Sequence, residues 1–140
     1  MRRCVAVHLL SYGGNAMSAA EIRSRLVDDA AVIYPGLYLN QLRGESIESQ
    51  CREFLAGGVR RIVINFAETE LINSIGISIL LGVIETVNHA QGALVLSNLN
   101  ASNRELFEML GLMSHVEMVE TEEAALLKLG GEAVVEAGPS

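Results

Sequence analysis

The 140-residue sequence has no tryptophan, and only three tyrosines and three phenylalanines. Its core must therefore be aliphatic, built from isoleucine, leucine, valine and methionine. Cysteine is nearly as scarce. Cys4 and Cys51 form neither a CxxC pair nor a cluster with histidine, which excludes a disulfide framework and a zinc site. Cys51 shares helical spacing with Ile47, Phe54 and Leu55 and reads as a small buried hydrophobe. A reducing, cytoplasmic setting fits. His8, His89 and His115 are too dispersed to ligate a metal together, and no cofactor-binding pattern is present. The basic residues number 10 against 17 acidic ones, giving a net charge of −7, and they are scattered. Nucleic-acid binders need clustered Lys and Arg to neutralise phosphates, so nucleic acid is excluded as a partner, and an anionic membrane surface with it. The strongly apolar run Ile75 to Leu81 is too short to span a bilayer. The opening Arg2-Arg3 and Cys4 to Leu10 resembles the start of a signal peptide. Its apolar stretch is short, is interrupted by His8, and leads into Ser11-Tyr12-Gly13-Gly14-Asn15. Residues 1–18 are expected to form a loose tail, with Met17 as an alternative start.

Half of the residues are apolar, enough for one domain of this length to bury about two-thirds of its unfolded surface. Ile22, Ser24 and Leu26 alternate with Arg23 and Arg25, an edge-strand pattern, and Asp28-Asp29 make a turn. A second strand over Ala30 to Leu39 is broken at Pro35-Gly36, since proline has no N–H for a ladder; Tyr34 and Tyr38 fall on one face of it. A helix follows from about Gly44 to Ala56, stopped by Gly57-Gly58. Ile62-Val63-Ile64 reads as a strand covered on both faces. Ser74 to His89 is the next helix and Gly92 to Leu96 the next buried strand. Ser102-Asn103-Arg104-Glu105 has capping-box spacing before a helix ending at Gly111. His115 to Val119 is a short strand, and Thr121-Glu122-Glu123 begins a last helix expected to stop at Gly130-Gly131. Residues 19–130 thus form one α/β domain and residues 131–140 a tail. The sheet is mixed but mostly parallel, with four to five strands and about four helices, opened by an N-terminal β-hairpin.

The informative stretch runs from Asn65 to Ile77. A buried strand leaves the core, crosses a loop holding Glu68 and Glu70, and enters a helix at Asn73-Ser74, both good N-cap residues. Gly76 disfavours its own helix by about 1 kcal/mol relative to alanine, which implies close approach by another backbone or a partner. On a helical wheel Ile79, Leu80, Val83, Ile84 and Val87 face the core, whereas Ser78, Glu85 and His89 face solvent. Ile75 falls on the solvent side, with Ile77 and Leu81 on the flank. Exposed aliphatics beside a capping serine form an apolar patch suited to a partner.

Asn73-Ser74-Ile75-Gly76 resembles the D-S-x-G switch motif of the STAS-domain family, the fold of bacterial anti-sigma factor antagonists. The similarity extends over about Ala19 to Leu129. It takes in Ile62-Val63-Ile64-Asn65, Ala93 to Leu99, Leu106 to Leu112 and Thr121-Glu122-Glu123-Ala124. The resemblance implies a non-catalytic phosphoswitch regulating transcription indirectly. A partner anti-sigma factor that is also an ATP-dependent serine kinase of the ATPase type would phosphorylate Ser74, and a serine phosphatase would reverse it. Asn73, Ser74, Ile75, Gly76, Ile77, Ser78 and Leu81 would meet the partner. Asn73 and Asn65 stand where the family usually has Asp, which keeps capping geometry and removes charge.

The residues alone also allow Ser74 to be a plain N-cap. A second reading of the whole chain is a non-phosphorylated STAS scaffold that forms a homo-oligomer through the same aliphatics or the N-terminal hairpin. A third is a ligand-sensing or transport-accessory domain. Ser74 lacks a G-x-S-x-G setting, which speaks against a hydrolase.

Overall fold

The computed structural model describes the backbone of residues 22–137 and the side chains of residues 22–130. The expected tail at residues 1–18, with Cys4 and His8, lies outside the described residues. Strands β1 (Arg23–Val27) and β2 (Ala30–Tyr34) form the antiparallel opening hairpin, turning through Asp28 at a φ of 57°. Helix α1 spans Gln41–Ala56, β4 Arg61–Asn65, α2 Ser74–His89 and β6 Ala93–Ser97. Helix α3 (Ala101–Met109), a 3₁₀ turn (Leu112–Ser114), β7 (Glu117–Val119) and α4 (Glu122–Ala137) complete the chain. The sheet order is β1-β2-β4-β6-β7, parallel from β2 onward. The expected mixed, mostly parallel sheet and its four helices are present among the described residues.

Alternation along the central strands explains the layering. Ile62, Ile64, Ala31, Ile33, Leu94 and Leu96 face α1 and α2, whereas Val32, Val63 and Val95 meet Ala125 and Leu129 of α4. Both faces are covered, so these strands are continuously apolar. Cys51 is buried among the aliphatics. Burial, and then the nearby Glu48 carboxylate, push its thiol up to about 12, so it is inert as a nucleophile at neutral pH.

Four local expectations are corrected. The segment Ala30 to Leu39 is not one strand with a bulge. At Pro35-Gly36 it leaves the main sheet, and β3 (Tyr38–Leu39) pairs instead with β5 (Leu71–Ile72) in a two-stranded parallel ribbon. Tyr34 and Tyr38 therefore belong to different sheets. Helix α1 starts earlier than its apolar period suggested, because Asn40 Oδ1 accepts from Arg43 N at 3.0 Å and caps it. Helix α3 is capped by Asn100, whose Oδ1 accepts from Asn103 N at 2.8 Å, so Ser102 lies inside the helix and no capping box forms. Finally, α4 runs through Gly130-Gly131 to Ala137. A glycine stop needs a left-handed turn, as Gly58 (φ 99°) supplies after α1, and Gly130 has no such φ.

Candidate functional site

The residues around Ser74 are assembled by a loop that leaves the main sheet at Asn65, on the carboxyl side of the parallel strands, where open α/β sheets commonly bind their ligands. Asn65 Oδ1 accepts from Ala67 N at 2.7 Å and turns the chain out of β4. Phe66 packs edge-on against Phe107 of α3, with ring centres 6.1 Å apart. Thr69 is buried, and its hydroxyl donates to the Gly36 carbonyl at 2.7 Å. Its own carbonyl accepts from Asn103 Nδ2 at 3.3 Å. The chain then joins β3: Glu70 N donates to Leu37 O at 2.8 Å and Asn73 N to Leu39 O at 3.0 Å. The segment leading to Ser74 is thus pinned at several points to β3, α3 and the end of β4.

Helix α2 begins as the sequence indicated, and the geometry separates the roles of its first residues. Asn73 is the cap: its Oδ1 accepts from Gly76 N at 2.7 Å, and its carbonyl accepts from Ile77 N at 3.0 Å. Ser74, one residue further on, is exposed, and its hydroxyl has no hydrogen-bond partner among the described residues. The plain-cap reading of Ser74 is therefore corrected, since the cap is its neighbour. A stability comparison follows. Asn73→Ala should cost about 1 kcal/mol, whereas Ser74→Ala should stay within about 0.5 kcal/mol of wild type; urea unfolding of the two variants measures both.

Gly76 is where backbones meet. A Cβ there would lie 2.5 Å from the Leu39 carbonyl oxygen and 2.9 Å from its carbon. The close approach expected of this glycine is made by β3 of the same chain. Ile75 projects outward, half exposed, and Ser78 is exposed. Leu81 is half-buried against the core. Ile77 departs from the flank expected of it and is buried together with Leu80, Val83, Ile84 and Val87. Ile79 is only half-buried, because it sits against α1, where Gly44 makes room: a Cβ on Gly44 would lie 3.2 Å from Ile79. The core face of α2 thus takes in Ile77 and leaves Ile79 at the seam with α1.

Beneath the strand ends, on the α4 side, lies a polar cluster that the sequence did not reveal. Glu122 Oε1 accepts from Asn65 Nδ2 and from Tyr34 Oη, each at 2.8 Å. Its other oxygen pairs with Arg25, whose Nε also donates to Tyr34 Oη at 2.8 Å. Burial pushes the Glu122 carboxyl up, but the hydrogen bonds from Asn65 and Tyr34 and the Arg25 charge outweigh it and hold the group below its ordinary value of 4.5. The cluster also accounts for asparagine at position 65, since an aspartate there would set two carboxylates in contact. A folded-state value below the unfolded one means stability that is present above the unfolded value and lost as pH falls through the folded one. Thermal melts of wild type should therefore lose stability below about pH 4.5, and Glu122→Gln should lack that component while being less stable at pH 7.

Other candidates stay apart. His89 and His115 are distant in sequence, and no group of His, Cys, Asp or Glu among the described residues could hold a metal. No helix among the described residues is long and apolar enough to cross a membrane.

Comparison with known proteins agrees with this arrangement. The sequence pattern of the STAS domain matches residues 19–125. BtrV of Bordetella bronchiseptica, whose name describes an anti-sigma factor antagonist, is 31% identical over 87 residues, covering 62% of this chain and 75% of BtrV. The solved structure of the anti-sigma factor antagonist SpoIIAA in its unphosphorylated form superposes with a TM-score of 0.68 at 24% identity, covering 79% of this chain and 96% of that one. The phosphorylated form of this Bacillus protein superposes with a TM-score of 0.62 at 24% identity, over 76% and 97% of the two chains. A motif match across most of the chain, a relative of this identity and the shared fold lead to one conclusion: the chain belongs to the STAS domain family, the family of the anti-sigma factor antagonists.

Proposed function

We propose that this chain is an anti-sigma factor antagonist that binds an anti-sigma factor with serine-kinase activity and is released when that kinase phosphorylates Ser74. The observation that carries the reading is the exposed, unengaged hydroxyl of Ser74 beside a cap supplied by Asn73. Its relatives support it: BtrV carries the antagonist name, and SpoIIAA has been solved with and without phosphate.

The physical chemistry suits a switch. A phosphate on Ser74 adds about −1.5 to −2 charges at pH 7. It lands at the positive end of the α2 dipole, beside first-turn N–H groups, so the fold tolerates it. The docking surface tolerates it less well, because the hydrated dianion sits beside the exposed apolar side chain of Ile75. The contact face at α2 is formed by Asn73, Ser74, Ile75 and Ser78, with Leu81 at its margin. Gly76 and Ile77 lie beneath it and shape it. The protein acts by binding, in the cytoplasm, and a serine phosphatase resets it.

Incubation of the purified chain with its anti-sigma kinase and ATP tests the proposal. Intact-mass and peptide mass spectrometry should show one added phosphate, on Ser74, absent from Ser74→Ala. A stable oligomer that is indifferent to Ser74 substitution and takes no phosphate would instead favour the scaffold reading.

A further inference from the structure

We propose that the docking face extends from the first turn of α2 onto the β3–β5 ribbon, and that it takes a partner surface apolar at its centre and bordered by lysine or arginine. This rests on the reading of Ser74 as a switch and specifies the partner chemistry for that same site.

The ribbon carries more exposed apolar surface than its fold requires. Tyr38 and Leu71 are directly paired in register and are 47% and 63% exposed, while the adjoining pair, Leu39 and Ile72, is buried. Leu37, whose carbonyl holds the Glu70 amide, is 45% exposed, and Ile75, next to Ser74, is 50% exposed. A two-residue ladder needs only backbone hydrogen bonds at its outward positions. Large apolar side chains there, on the ribbon that leads into the first turn of α2, mark an interaction surface. The Asn73–Leu39 hydrogen bond and the Gly76–Leu39 backbone contact tie the start of α2 to the ribbon. Ile75, Leu71 and Tyr38 therefore present themselves on one rigid frame.

Charge selects the occupant. Every arginine and lysine among the described residues already pairs with a carboxylate or donates to a backbone carbonyl. The ones that reach toward the patch are Arg23, which meets Glu68 at 3.6 Å, and Arg43, which donates to the Pro35 carbonyl at 2.9 Å. Glu70, immediately before Leu71, is exposed and meets no cation among the described residues. Arg43 keeps its charge beside the neutral Pro35 carbonyl. The exposed carboxylates of Glu68 and Glu70 and the net charge of −7 nonetheless leave the surroundings acidic, which disfavours an acidic partner. A second copy would set the same face against itself, as two-fold interfaces do, bringing like carboxylates together in a chain of net charge −7. A partner with basic groups at its rim gains from Glu70, while its apolar centre covers Leu71, Tyr38 and Ile75. Phosphate on Ser74 would fall in that apolar centre, away from the basic rim.

Calorimetric titration of the anti-sigma kinase into Leu71→Ser, Tyr38→Ala and Glu70→Lys, at low and high salt, tests this. All three positions are exposed, so melting temperatures should match wild type. Leu71→Ser and Tyr38→Ala should each bind at least about tenfold more weakly. Glu70→Lys should bind more weakly and flatten the salt dependence. If both ribbon variants bind like wild type while Ser74→Glu is impaired, the switch stands and the extended face is wrong. A kinase that fails to bind wild type overturns both. A concentration-dependent dimer abolished by Leu71→Ser places a second copy on the face and overturns the basic partner.

Discussion

Gly76→Ala is expected to lower the melting temperature by on the order of 10 °C. The added methyl would lie 2.5 Å from the Leu39 carbonyl oxygen, and a backbone group cannot swing aside as a side-chain tip can. Either α2 moves off β3 or the ribbon separates, and overpacking of this kind costs about 3 kcal/mol. For a domain of this size each kcal/mol is worth a few degrees. Alanine's better helix propensity returns about 1 kcal/mol at most, so the sign does not change. The same substitution at Gly82 serves as the control, since a Cβ there meets nothing within 4 Å. Gly82→Ala should be neutral or slightly stabilising in the same differential scanning measurement.

Ser74→Glu is expected to leave the melting temperature within a few degrees of wild type and to weaken kinase binding more than a hundredfold, equivalent to about 3 kcal/mol. Stability is spared because position 74 is exposed and not the cap, and a carboxylate in the first turn of a helix is favoured by the dipole. Binding is lost because a hydrated charge must be buried against an apolar partner surface with no described cation of this chain to meet it. Ser74→Ala, which adds no charge, should bind within a few-fold of wild type. Titration of the three proteins against the kinase distinguishes lost binding from lost folding.

Much of the architecture could be read from the residues, for identifiable reasons. Helix α2 was placed correctly because a cap, an apolar period and a long run agree. The central strands were clear because Ile62-Val63-Ile64 and the run after Gly92 are apolar without alternation. The ribbon was not legible: Leu71–Ile72 is two residues long and has no period to detect, and only its partner's break at Pro35-Gly36 hinted that the chain leaves the sheet. The α3 cap was misplaced by two residues because Asn100 and Ser102 both suit a cap. Asn100 and Asn103 both donate to the Thr69 carbonyl, a tertiary contact that favours the earlier cap and that spacing does not reveal.

Within the site, Ser74 and Ile75 were found exposed as expected, and Gly76 was singled out for the right physical reason. Ile77 was misjudged because which side of α2 is buried depends on how it packs on the sheet and on α1, where Ile79 meets Gly44, a relation that no single-helix wheel contains. The Arg25–Tyr34–Asn65–Glu122 cluster was missed altogether. Its members come from β1, β2, β4 and α4, and nothing in their spacing joins them before the sheet is assembled.

The most direct test compares the affinity of one purified protein for its anti-sigma kinase before and after stoichiometric phosphorylation of Ser74. The account predicts a drop of several hundred-fold, about 3–4 kcal/mol, with an unchanged far-ultraviolet circular dichroism spectrum. Equal or tighter binding by the phosphorylated protein would contradict it.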